Sequence, residues 1–164
     1  MKVFVYILIG LILTILESST LSFLPIEFFK PDFGMPFIVY TAFFLGPQAG
    51  LITSILIGLI QEIMSNSPHG SMLFTKVSIF IMSTFLKNKL YIDSRYSFSY
   101  ICGGFVLFES FLFLILSFLS KGETKNIVNM LFYTIPNAIF TGFVSIFIFS
   151  LIEFLNEKYL NREY

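Results

Sequence analysis

Four ionisable side chains stand within or at the ends of long apolar stretches: Glu17, Glu62, Lys76 and Glu109. Carboxylates and an amine in such surroundings could form ion pairs, bind a ligand or exchange protons. An unpartnered charge at the centre of a membrane helix costs about 2.5–3.5 kcal/mol on insertion scales, so each of these groups is expected to face another helix, water or one of the others. Other reactive groups are few. His69, the only histidine, stands between Pro68 and Gly70 and reads as a surface turn residue, with no second histidine to complete a metal site. Cys102 is the only cysteine, so neither an intramolecular disulfide framework nor a cysteine metal site can form. The chain has no Walker A loop, no G-x-S-x-G elbow and no H-E-x-x-H pair. Glu17 and Glu109 could form a carboxylate pair, but nothing fixes their separation. The expectation is a protein that is not an enzyme, with no catalytic residues, no metal and no cofactor.

The elements that must position these groups are set by composition. Of 164 residues, 56% are hydrophobic and 12% charged, with a mean hydropathy of +0.87, whereas a soluble domain carries roughly twice that charge. A soluble fold this apolar would expose large greasy patches; lipid removes that problem. Formal net charge is zero and no basic run tracks a nucleic-acid backbone, which excludes DNA and RNA as partners.

A helix needs about 20 apolar residues to cross roughly 30 Å of hydrocarbon. Six segments qualify by this measure, two of them barely: 3–24, 33–45, 49–64, 71–86, 99–119 and 127–155. The first lacks a small-x-small cleavage site and is expected to be a retained span. The second, pinched between Lys30-Pro31-Asp32 and Gly46-Pro47-Gln48, is too short to cross without tilt or help, and either a crossing or a re-entrant helix fits. Turns fall at Pro25, Pro31, Gly46-Pro47, Ser67-Pro68-His69-Gly70, 87–97 and Lys121-Gly122. The predicted fold is all-α: a polytopic membrane bundle of six spans, the second short, forming one domain over 1–164.

With six spans, Lys2, Lys87, Lys89, Arg95, Lys158 and Arg162 share one side, while Lys30, Lys121 and Lys125 share the other. The richer side is expected to be cytoplasmic and to hold both termini. The loop from Lys87 to Arg95 is its largest basic element, and Tyr91, Tyr96 and Tyr100 fit an interfacial belt beside it. On that orientation Glu17 lies about 10 Å and Lys76 about 7 Å below the outer ends of their helices. Glu62 precedes the outer turn of the hairpin that leads to Lys76, so an ion pair between the two is geometrically allowed. The functional reading is a polar pocket toward the outer leaflet, lined by Glu17, Glu62, Lys76 and the deeper Glu109, that binds a ligand or a partner helix. The plainer and preferred reading makes these groups interhelical glue, or lets them snorkel to the interface.

Small residues recur as Gly46-x-x-x-Gly50, with Gly58 two turns on beside Ser54, a pattern that lets helix backbones approach. Internal packing is the expectation, ahead of a dimer face. Pro136 interrupts the last segment, freeing a carbonyl one turn earlier and predicting a kink.

Taken in order, Lys30-Pro31-Asp32, Gly46-Pro47-x-x-Gly50, Gly58-Leu59-Ile60-Gln61-Glu62 and Ser67-Pro68-His69-Gly70 resemble the MreD family of bacterial rod shape-determining membrane proteins. The resemblance extends through Glu17-Ser18-Ser19 and Ile135-Pro136-Asn137 to the whole chain. It implies a scaffold of the cell-elongation machinery, in the bacterial inner membrane, whose chemistry is done by others. The implied partners are an MreC-like bitopic protein, an MreB-like filament, and the glycosyltransferase and transpeptidase that make lateral peptidoglycan. The implied motif and packing residues are Pro31, Asp32, Gly46, Pro47, Gly50, Gly58, Glu62, Pro68, Gly70 and Pro136. This chain has Glu62 where the family usually shows Asp, and Glu17 where it usually shows a glutamine-like residue. MreD proteins are also similar in fold to the substrate-binding components of energy-coupling-factor vitamin transporters, which gives a second reading as a small-molecule binding component. Those components commonly dock through an alanine-x-x-x-alanine surface on the first helix, whereas this chain has only Ala42, Ala49 and Ala138.

Overall fold

The computed structural model describes residues 2–21, 31–65, 69–121 and 127–160. Among these every regular element is helical: α1 (Lys2–Leu21), α2 (Gly34–Tyr40), α3 (Pro47–Met64), α4 (Ser71–Lys87), α5 (Arg95–Lys121) and α6 (Ile127–Leu155). A π-helical turn, Thr41–Leu45, extends α2, and another, Asn156–Leu160, ends α6. Three helices are long and apolar enough to cross a membrane, over Pro47–Met64, Arg95–Leu116 and Phe132–Lys158. Shorter apolar helices cover Val3–Ser19 and Gly34–Leu45. The turn expectations at Pro25 and Pro68 lie outside the described residues.

Helix boundaries follow local chemistry. Pro47 opens α3, where its missing N–H costs nothing, and the chain enters it through Gly46 at φ 102°, a region that disfavours side chains. The Ser94 hydroxyl accepts the N–H of Ser97 at 3.2 Å and caps the start of α5. Pro136 lies inside α6, which is helical from Ile127 to Leu155.

Two antiparallel hairpins, α3–α4 and α5–α6, form the outer walls. Between them runs α2, which touches all five other helices. All seven of its residues, Gly34 to Tyr40, are buried. The segment too short to cross is thus the axis of the bundle, and its sequence, Gly-Met-Pro-Phe-Ile-Val-Tyr, is apolar because protein surrounds it on every side. With its π turn it covers twelve residues, about 18 Å of helix. A helix that begins and ends inside a bundle must have its terminal backbone groups satisfied there, since hydrocarbon offers no partners.

Glycines set the close approaches. A Cβ on Gly50 would lie 2.9 Å from Cα of Ala42, and one on Gly58 would lie 3.0 Å from Cα of Leu73. Both positions of the small-residue face are therefore spent on contacts within the chain. The far end of α2 meets an aromatic cluster: Tyr6 and Tyr40 pack edge to face at 5.6 Å, and Phe149 lies 6.2 Å from Tyr40 and 4.8 Å from Phe98. Cys102 is fully buried among these core residues.

Candidate functional site

The start of α2 is where charge collects. Its first N–H groups point out of the helix with no partner one turn back, and Asp32 answers them: Oδ1 accepts from Gly34 at 2.8 Å and from Met35 at 2.9 Å. The Phe33 N–H donates to Oε2 of Glu17 at 2.8 Å, and the Asp32 N–H donates to the Thr141 hydroxyl at 3.0 Å. Four successive amides are thereby satisfied by side chains from α1, α6 and the segment before α2. Negative groups at this end also oppose the positive end of the helix dipole.

Lys76 completes the centre. It enters from α4, is fully buried, and pairs with Oδ2 of Asp32 and, at 2.6 Å, with Oε1 of Glu109 on α5. Gln61 of α3 donates to Asp32 Oδ1 at 3.3 Å. Three carboxyl groups, Glu17, Asp32 and Glu109, thus converge with one ammonium at a point where α1, α3, α4, α5 and α6 all meet the start of α2. Chemically this is a buried ion network that also serves as a helix cap. A Cβ on Gly34 would lie 2.7 Å from Cγ2 of Ile57 and 2.9 Å from the Thr14 hydroxyl oxygen. Glycine at position 34 lets the network close over the helix.

The structure brings Glu17, Lys76 and Glu109 together and leaves Glu62 out. The allowed Glu62–Lys76 ion pair is not formed. Glu62 spends both carboxylate oxygens on the start of α4, accepting the Gly70 N–H and, at 2.9 Å, the Met72 N–H. The physical reason is competition: Lys76 has Asp32 and Glu109 within reach, while the unfulfilled amides after the turn at Gly70 lie directly beside Glu62. Gly70, at φ 84°, shapes that turn. Pro31 is half-buried next to Asp32, Gly46 and Pro47 form the entry to α3, Gly50 and Gly58 make its close approaches, and Pro68 lies outside the described residues.

Sequence reasoning placed Asp32 in a turn and gave it no role in the charged cluster, although an Asp two residues before a glycine that opens an apolar helix carries the signature of a cap. Thr141 and Gln61 were missed as well, and no local signal announces either. At the opposite end of α2 a second polar group went unforeseen: Tyr6 donates its hydroxyl to Oδ1 of Asn156, and Asn156 Nδ2 donates to the Tyr40 hydroxyl at 3.1 Å.

Beside Glu109 a cavity of about 240 Å³ opens between α5 and α6, lined among others by Ser110, Tyr133, Thr134 and Asn137. A larger groove of about 520 Å³ runs between the same helices past Gly103, Gly104, Ala138 and Gly142. Among the described residues no cluster of His, Cys, Asp and Glu has the makings of a metal site.

No curated protein and no solved structure matches this sequence. The family model described as rod shape-determining protein MreD does match, over residues 1–159. A match of that extent, on a bundle with three helices apolar enough to cross a membrane, places the chain in the MreD family of rod shape-determining membrane proteins.

Proposed function

We propose that this protein is a non-enzymatic scaffold of the bacterial cell-elongation machinery, a single membrane domain held in the cytoplasmic membrane with both termini in the cytoplasm. Its partners are an MreC-like bitopic protein, an MreB-like filament, and the peptidoglycan glycosyltransferase and transpeptidase of lateral wall synthesis. The family match carries the reading. The exterior supports it: Phe4, Phe111, Phe132, Phe143 and Phe147 are all at least 60% exposed, a surface suited to lipid and to the spans of other proteins. The charged groups support it too, since Lys76, Asp32 and Glu109 are engaged with each other and hold the bundle together. Recognition is then lateral, with partner spans packing on a rigid bundle.

Depletion in a rod-shaped host is the direct test. Cells should round or widen within a few generations, and the wall synthase should lose its recruitment to the lateral wall; unchanged shape and recruitment would overturn the role. A vitamin-binding component would instead carry a small molecule through detergent purification, which mass spectrometry would detect.

A further inference from the structure

Two grooves on the outside of the bundle meet on α5. One, of about 520 Å³, runs between α5 and α6 past Tyr96, Gly103, Leu107, Ala138 and Phe143. The other, of about 330 Å³, runs between α4 and α5 past Met82, Leu86, Leu90, Ile101 and Phe108. Tyr100 and Gly104 line both, so only their ridge separates the two. Glycine weakens the middle of a helix but allows close approach to its backbone. At Gly50 and Gly58 the approach is made by this chain, and a Cβ on Gly103 would lie 3.3 Å from the carbonyl oxygen of Ala138. Gly104 differs, because a Cβ there would meet nothing within 4 Å. No contact within the described residues uses the gap it leaves in the ridge.

Length and charge identify what fits. From Tyr96 to Leu107 the wider groove follows α5 for about 16 Å, and from Tyr100 to Phe108 the narrower follows it for about 12 Å. Half of a hydrocarbon layer of about 30 Å is of the same length, the reach of one leaflet's acyl chains. A partner helix would present a single ridge about 10 Å across, whereas here Tyr100, 82% exposed, stands up between two clefts. Both grooves begin at the loop that joins α4 to α5. Leu86 and Leu90, on the wall of the narrower one, bracket Lys87 and Lys89 in sequence, and Tyr96, at the head of the wider one, follows Arg95. All three cations are exposed. Arg95 is paired with Glu153 at 3.0 Å, and Asp93 is the one carboxylate within 87–95. Neither Lys87 nor Lys89 is in an ion pair among the described residues. Positive charge therefore remains at the mouths of two apolar grooves, at the level where lipid phosphates lie.

We propose that an anionic diacyl phospholipid sits astride the Tyr100–Gly104 ridge, with one acyl chain in each groove and its phosphate held by Lys87 and Lys89. The site does not depend on the elongation role, and its test is separate from the depletion test. Full-length protein in detergent is offered phosphatidylglycerol, phosphatidylcholine and one-chain lysophosphatidylglycerol at equal concentration, and retained lipid is read by native mass spectrometry. Phosphatidylglycerol should be retained about tenfold over phosphatidylcholine, as two lysines beside an anionic headgroup imply; equal retention of the two overturns the proposal without any variant. The one-chain lipid should be retained far less than its two-chain parent, and equal retention would overturn the seat in both grooves. Gly104→Leu, which places its side chain in the gap, should bring phosphatidylglycerol down to the level of the one-chain lipid. Undiminished retention by monodisperse Gly104→Leu protein would overturn the site. Lys87→Gln combined with Lys89→Gln should equalise phosphatidylglycerol and phosphatidylcholine, and an unchanged preference would overturn the phosphate contact. A second copy of the chain in the lipid's place would show as a dimer that Gly104→Leu disperses, and that result would overturn the lipid as occupant.

Discussion

At its first residues α2 meets Asp32, Glu17 and, through Asp32, a buried lysine, whereas its last turn meets Tyr6 and Asn156 through neutral hydroxyl and amide groups. Both ends solve the same problem, a helix terminus enclosed in a bundle, but with different consequences. Removing one partner of a buried ion pair strands a charge that neither water nor lipid reaches. Removing one neutral partner leaves groups that aromatic neighbours tolerate at smaller cost. The charged end therefore acts as a switch between folded and not, and the neutral end as a graded clamp.

The sharpest way to break this contrast is Lys76→Met, which should cost about 3–5 kcal/mol and reduce the monodisperse folded fraction in detergent more than any other single change considered. Adding Asp32→Asn and Glu109→Gln should recover part of the loss, because the two carboxylates that pair directly with Lys76 are then neutral and no longer stranded. If the triple variant is worse than the single, charge compensation is not what Lys76 supplies. At the other end Tyr6→Phe should cost about 0.5–1.5 kcal/mol, visible as a lower thermal midpoint with unchanged helicity. A loss equal to that of Lys76→Met would erase the distinction between the ends. Smallest of all should be Ser83→Ala. Ser83 is buried in α4 with no hydrogen-bond partner for its hydroxyl among the described residues, so removing that oxygen should leave stability unchanged or raise it by up to about 1 kcal/mol.

Helix positions were largely legible from hydropathy: the segments read as 71–86 and 127–155 are Ser71–Lys87 and Ile127–Leu155 in the structure. Such runs are local, and apolar length and turn residues suffice to find them. The shortness of the second segment was visible too, but not its central place, because hydropathy cannot tell a helix wrapped in lipid from one wrapped in other helices. The site was half legible. Glu17, Lys76 and Glu109 stood out as charges in apolar sequence and converge in space. Asp32 did not, since it lies at the edge of a polar turn and reaches Lys76 across 44 positions. Depth estimates paired Lys76 with Glu62 because both belong to one hairpin; the actual partners come from the loop before α2 and from α5. Pairing of this kind depends on helix rotation, which a single sequence with apolar residues on most faces does not specify.

The burial of Cys102 has a practical corollary. With its sole thiol sealed in the core, the native chain should be silent toward membrane-impermeant maleimides, so any cysteine introduced on a loop would report its own exposure against a blank background. Sidedness of each hairpin could then be mapped on intact cells with the natural protein as the zero, and no cysteine-free parent would have to be made first.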